Sequence, residues 1–158
     1  MRGGVREGGK GVEEKEDIRY LLDTSALYPL LRRLGKSLYR HLKALAVLDL
    51  TKYEVGNALW VEVKRGLIVD WLPVVKAWAE VFRGLGELKV EDLVDVEELA
   101  TRLDVTFYDA AYILTANRMG LVLVTEDKEM RDKASTADID VASVDELVER
   151  LQGTSVER

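Results

Sequence analysis

Apolar residues fall along this chain in two patterns. Unbroken runs at Tyr20–Leu22, Ala44–Leu48 and Leu121–Val124 read as strands buried on both faces. Between them, apolar positions recur at helical spacing and stop at glycine. "SALYPLLRRLG" predicts a helix opened by Thr24 or Ser25 as N-cap and closed by Gly35, with Pro29 tolerated as a residue of the first turn or so. A short helix over Lys36–Lys43 follows, then longer ones over Leu50–Arg65 and Asp70–Arg83. "ELKVEDL", residues 87–93, alternates and predicts a half-exposed strand with Leu88 and Val90 on its inner side. "VEELATRL" and "FYDAAYILTANRMG" predict two more helices, and a further helix starts at Lys128. The alternating strand "DIDVAS" and a closing helix from Val144 complete the pattern.

Strands separated by helices imply an α/β fold, a three-layer α/β/α sandwich around a mainly parallel sheet. Wholly apolar strands belong at the centre of such a sheet, so 20–22 and 121–124 are expected to be neighbours. Both runs end in acid. The first breaks into Asp23, Thr24 and Ser25, and the second into Thr125, Glu126 and Asp127. Parallel strands share a direction, so Asp23 and Asp127 emerge together at the carboxyl edge, where open sheets place their ligands.

Two further acids can join them. Glu54 and Asn57 in "TKYEVGNALW" share a helix face, and Glu54 falls in the first turn after a strand. Asp109 opens a nearly uncharged helix, where a carboxylate needs a partner. Each of Asp23, Asp109 and Asp127 also suits a helix cap, and Thr106 with Asp109 has capping-box spacing. Glu54 alone could be a solvated helix residue. Four carboxylates about 5 Å apart would repel by roughly 3 kcal/mol per pair at an effective dielectric near 20. A cation must relieve that, and oxygen donors without His or Cys suit Mg²⁺ or Mn²⁺, one or two ions.

Composition narrows the classes. With 158 residues, 47% hydrophobic, the chain supports one core and one domain. The absence of cysteine excludes disulfides, thiolate metal sites and thiol nucleophiles. A net charge of −6 excludes a generic nucleic-acid coat, leaving contact through a local basic surface, a metal or a partner. No signal peptide or spanning run is evident, so no membrane is expected and the cytoplasm is the default compartment. Residues 1–16 hold five of the twelve glycines and little apolar area, which predicts a disordered tail. The domain is then expected over 17–152, with a short tail at 153–158.

"LLDTSAL" with Asp23, "YEVGNAL" with Glu54 and Asn57, "FYDAAYILTA" with Asp109, and "LVTEDKEM" with Thr125 and Asp127 stand in the order seen in PIN domains. Over roughly residues 18–150 the chain resembles that family, and within it the VapC-type toxin ribonucleases. The resemblance implies strand order 3-2-1-4-5 and a divalent-metal-dependent endoribonuclease, the toxin of a type II toxin–antitoxin pair. It also implies a homodimer held by an antitoxin whose peptide fills a groove beside the acids. Asp23, Asp109 and Asp127, with Glu54 directly or through water, would be the metal ligands and catalytic acids. Metal-activated water would leave a 5′-phosphate and a 3′-hydroxyl. Thr24, Ser25, Asn57 and Thr125 would hydrogen-bond the ligand carboxylates or a bound water, with Asn57 able to orient Glu54; turn and cap roles fit them equally.

Arg32, Arg33, Lys36, Arg40 and Lys43, with Lys128 and Arg131, offer a phosphate-contacting surface on which Tyr39 could stack a base, although such a run is also an ordinary solvated face. Trp60, Trp71 and Trp78 are read as core, with a partner groove as the alternative. Other classes fit less well. A haloacid-dehalogenase phosphatase needs a second acid two residues after the first, where this chain has Ser25. A receiver domain needs paired early acids, and a serine hydrolase needs a base that lone His41 does not supply. A housekeeping PIN nuclease of RNA maturation and a non-catalytic PIN-fold binding module remain alternatives.

Overall fold

The computed structural model describes residues 18–90 and 92–153. The expected N-terminal tail lies outside the described residues, as does the expected C-terminal tail apart from Gly153. Five parallel strands form one sheet in the order β3-β2-β1-β4-β5. They are β1 (Tyr20–Leu22), β2 (Leu45–Leu48), β3 (Gly86–Leu88), β4 (Val122–Val124) and β5 (Val141–Ala142). Among the described residues seven α-helices flank the sheet: α1 (Thr24–Leu34), α2 (Thr51–Lys64), α3 (Trp71–Gly84), α4 (Leu93–Leu103), α5 (Phe107–Met119), α6 (Lys128–Thr136) and α7 (Val144–Gly153).

The side chains of β1 divide the core. Tyr20 and Leu22 join Leu45, Val47 and Val124 beneath α1, α2, α3 and α7, while Leu21 joins Ala46, Leu48 and Leu123 beneath α4, α5 and α6. The sandwich is therefore three-layered. β1 and β4 pair in register, Leu21 opposite Leu123, as two wholly apolar strands must when both faces are covered. Strand order reverses between them, which puts the crevice of the fold beyond Leu22 and Val124.

Several local expectations are corrected. The N-cap of α1 is Asp23 itself, whose carboxylate accepts from Ala26 N, so Thr24 and Ser25 are helical. Pro29 lies in the second turn, and α1 continues through it at the expense of one backbone hydrogen bond. The short helix expected over 36–43 is of 3₁₀ type and broken in two, Gly35–Arg40 and Leu42–Ala44, with Ser37 donating to the carbonyl of Leu34. β3 ends at Leu88, whose carbonyl accepts from Asp49 N where β2 stops; Val90 still packs on the core. β5 covers only Val141–Ala142, because Asp138 turns into the left-handed region at φ 60°.

Leu123 is fully buried on a central strand. Leu123→Ala is expected to lower unfolding stability by roughly 2–5 kcal/mol in urea titration with the m-value unchanged. A loss below about 1 kcal/mol would place β4 outside the core.

Candidate active site at the carboxyl edge of the sheet

At the crevice, Asp23 is 6% exposed and fully hydrogen-bonded. Its Oδ1 accepts from Ser25 Oγ at 2.6 Å and Ala26 N at 3.1 Å, and its Oδ2 accepts from Thr125 Oγ1 at 2.5 Å. The Thr125 oxygen in turn accepts from Asp127 N at 3.1 Å, and Ser25 Oγ accepts from Glu126 N at 3.0 Å. Two hydroxyls thus lock the end of β4 onto the acid that ends β1. Asp127 caps α6 through Met130 N at 3.1 Å and leaves its side chain exposed. Asp109, half-buried in the first turn of α5, has its N–H held by Thr106 Oγ1 at 3.1 Å. Asp127 is therefore a cap, whereas Asp109 is the third residue of a helix capped by Thr106, and both carboxylates line one cleft.

Asp109 and Asp127 line a cleft of about 310 Å³ with Asp104, Thr106 and Glu129. Asp104 and Glu129 are acids that sequence patterning passes over, because each sits in an ordinary charged surface stretch. Burial is the main force raising the Asp23 carboxyl above the usual carboxylate range; Ser25, Thr125 and Ala26 pull it back, and Asp109 pushes it up again. Asp109 is raised by burial first and by Asp127 second, with Glu129 adding to it and Thr106 opposing. The three aspartates thus form a chain of mutual repulsion. Among the described residues, no arginine or lysine pairs with any of them.

Glu54 stands apart from this chain. It lies half-buried in the first turn of α2, where its Oε1 accepts from the hydroxyl of Tyr112 at 3.3 Å. Asn57 is exposed one turn on, so the group that touches Glu54 belongs to α5. Thr24 is half-buried, with its hydroxyl 3.4 Å from the same phenol. Tyr112 and Thr51 were invisible to sequence reading because a tyrosine inside an apolar helix and a threonine at a helix start look like packing and capping.

The donor chemistry suits a hard divalent cation: carboxylate oxygens, supporting hydroxyls and repulsion that no cation among the described residues balances. Among the described residues, no three Asp, Glu or His side chains are grouped tightly enough to enclose an ion alone. Mg²⁺ does not require that, since it keeps several waters and takes one or two carboxylates plus substrate phosphate oxygens. The residues present fit such an ion.

A profile of the PIN domain matches residues 20–135. The chain is 41% identical over 127 residues to exonuclease VapC9 of Pyrobaculum aerophilum, covering 80% of this chain and 93% of that protein. It is 38% identical over 93 residues to ribonuclease VapC3 of the same organism, covering 56% of this chain and 70% of the relative. Its fold superposes on the crystal structure of PAE2754 from P. aerophilum with a TM-score of 0.78 at 37% identity, covering 87% of this chain and 98% of that one.

The raised Asp23 carboxyl sets a pH dependence. A carboxyl whose pKa is higher in the folded state favours the protonated native form, so no loss occurs below its unfolded pKa. The loss is complete above its folded pKa. Stability without metal therefore falls as pH rises from below the carboxylate range toward neutrality. Asparagine keeps the cap and removes the charge. In EDTA, Asp23→Asn is expected to melt above the wild type at pH 7, by about 2–4 °C for each kcal/mol relieved. The gap should close at acid pH. Equal melting temperatures at pH 7 would contradict the burial argument.

Proposed function

This chain belongs to the PIN-domain family and is of the VapC type, and from that premise we propose that it is a metal-dependent endoribonuclease, the toxin of a type II toxin–antitoxin pair. The observation that carries the reading is the chain of repelling aspartates, Asp23, Asp109 and Asp127, at the strand-order reversal, left without a protein cation among the described residues. RNA as substrate is supported by the ribonuclease name of one relative. The exonuclease name of the other supports a second reading, in which cleavage starts from a chain end.

Asp23, Asp109 and Asp127, with Glu54 directly or through water, are the proposed holders of one or two Mg²⁺ or Mn²⁺ ions. Such an ion, when bound, supplies charge neutralisation at the scissile phosphate and lowers the pKa of a water. The rest is the work of the chain itself. Ser25 and Thr125 hold both oxygens of Asp23, which fixes the direction of its outward lone pairs. The apolar layers behind β1 and β4 keep bulk water from the back of the carboxylate, so its charge is screened only from the crevice side. Basic residues on α1 and the 3₁₀ turns would draw in the phosphate backbone; of these, Arg33 pairs with Asp145, and Tyr39 is exposed beside Arg40.

The partners proposed are an antitoxin protein and a second copy of the chain. An apolar groove of about 370 Å³, lined by Leu27, Tyr28, Leu59, Ile68 and Trp78, has Thr24 at its rim, next to Asp23. Trp60 and Trp71, expected in the core, are instead more than half exposed on α2 and α3. Trp78 is half-buried against the core. That much bare aromatic surface supports association. No helix among the described residues is long and apolar enough to cross a membrane, and the proposed location is the cytoplasm, where an RNA target is met. The segment 17–152 is proposed as the nuclease domain between short tails.

Purified chain with Mg²⁺ or Mn²⁺ is expected to cleave cellular RNA and a circular RNA, and EDTA to stop both. Asp23→Asn is expected to lose about 10²–10³-fold in rate with its circular dichroism unchanged, the scale of losing charge stabilisation at a reacting centre. Full activity of that variant would remove the mechanism. Cleavage of linear but not circular RNA would select the exonuclease reading, and no cleavage with no Mn²⁺ uptake would leave a binding module. Size-exclusion mass is expected to match a dimer alone and to rise when the protein encoded next to it is co-expressed; an unassociated monomer in both cases would overturn the partner assignment.

A further inference from the structure

Tyr112 is 2% exposed, and its hydroxyl is the meeting point of three helices. It lies 2.6 Å from Thr51 Oγ1, 3.3 Å from Glu54 Oε1 and 3.4 Å from Thr24 Oγ1. Thr51 is itself fully buried. A phenol has one proton to give, and an ionised carboxylate can only accept. The proton of Tyr112 therefore goes to Glu54, and Thr51 donates its own to the phenol oxygen.

The placement gives the chain Thr51, Tyr112, Glu54 a direction. Tyr112 follows Asp109 by three residues, so both lie on one face of α5. Thr51 and Glu54 share the first turn of α2, and Thr24 follows Asp23. The Glu54 carboxylate has no other hydrogen-bond partner among the described residues, and Glu54 lines neither the acid cleft nor the apolar groove. Unsupported, a glutamate at a helix start samples several rotamers and points its charge into solvent. We infer that Tyr112 is a positioning residue: its hydroxyl, oriented by Thr51, turns the Glu54 carboxylate toward Asp23 and Asp109 and so completes the oxygen set offered to a divalent cation.

This inference rests on the nuclease reading, because it assigns Glu54 a place in that site. The probe is Mn²⁺ alone, titrated into the full chain without RNA and followed by calorimetry, with RNA cleavage measured in parallel. Tyr112→Phe removes one oxygen from a packed ring. It is expected to weaken Mn²⁺ binding about 10-fold, as removal of a partner behind a metal ligand does. In a Glu54→Ala background, the same change is expected to have no further effect on Mn²⁺. A tie that merely braces α2 against α5 would give the same loss in both backgrounds.

Two companions guard against misfolding. Thr51→Val is expected to weaken Mn²⁺ binding several-fold and Thr51→Ser to restore it, so the inference stays testable should Tyr112→Phe fail to fold. Thr115→Val removes another buried hydroxyl of α5, one bonded to the carbonyl of Ala111, and is expected to leave Mn²⁺ affinity unchanged. Wild-type affinity in Tyr112→Phe and Thr51→Val, or a loss that persists without Glu54, would overturn the positioning role while the nuclease reading stood. A wild-type chain that neither takes up Mn²⁺ nor cleaves RNA would overturn both.

Discussion

A carboxylate buried at the end of a central strand is the constraint around which this fold is arranged. Asp23 has apolar layers behind it and a like charge at Asp109 in front, so its ionised form is held only by what the neighbouring segments supply. They supply a backbone N–H from α1, a hydroxyl from Ser25 and a hydroxyl from Thr125. Each bond to a charged acceptor stabilises more than a neutral one. Together they specify where α1 begins and how closely the end of β4 must approach the end of β1.

The parallel sheet turns that local requirement into a site. Because β1 and β4 run side by side in one direction, whatever follows Leu22 must meet whatever follows Val124. α5 runs back against β4, which brings its N-terminus and Asp109 to the same edge, and α2 leaves β2 there with Glu54 in its first turn. Asp23, Asp109 and Asp127 are thereby brought close enough to repel one another, while Glu54 reaches the same edge apart from them. The cost is like-charge repulsion that the protein leaves uncompensated among its described residues, a pattern with no folding rationale and a ready one in binding.

Legibility in the sequence followed the strength of the physical signal. The runs ending at Leu22 and Val124 were readable because full burial excludes every polar side chain and the acids stop them abruptly. β3 and β5 are shorter than their alternation suggests, because alternation records which side is covered, whereas length depends on where the partner strand stops and where Asp138 turns. Trp60 and Trp71 misled for a related reason: apolar character says that a surface avoids water, and it does not say whether this chain covers it. Sequence does not single out the cap of α1, because Asp23, Thr24 and Ser25 are all good caps in succession. Tyr112 could not be read at all, since the acid it touches lies 58 residues away and its own neighbours are core.

The looseness of the acid set is part of how such a site would work. Were three carboxylates clenched around one point, the repulsion of the empty site would oppose folding with several kcal/mol. Spread along the crevice, with Asp127 exposed and Asp109 half-buried, the acids keep enough water to stay individually tolerable. The missing oxygens must then come from outside, and the phosphates of RNA are the oxygens such a cation prefers. In the proposed reading this links affinity for the ion to the presence of substrate, so that a chain of net charge −6 need not attract RNA by its overall field. The Tyr112 hydrogen bond fits this scheme because it would order Glu54 without adding a charge. The oxygen is set in place, and the repulsion is left for the cation and the phosphate to resolve.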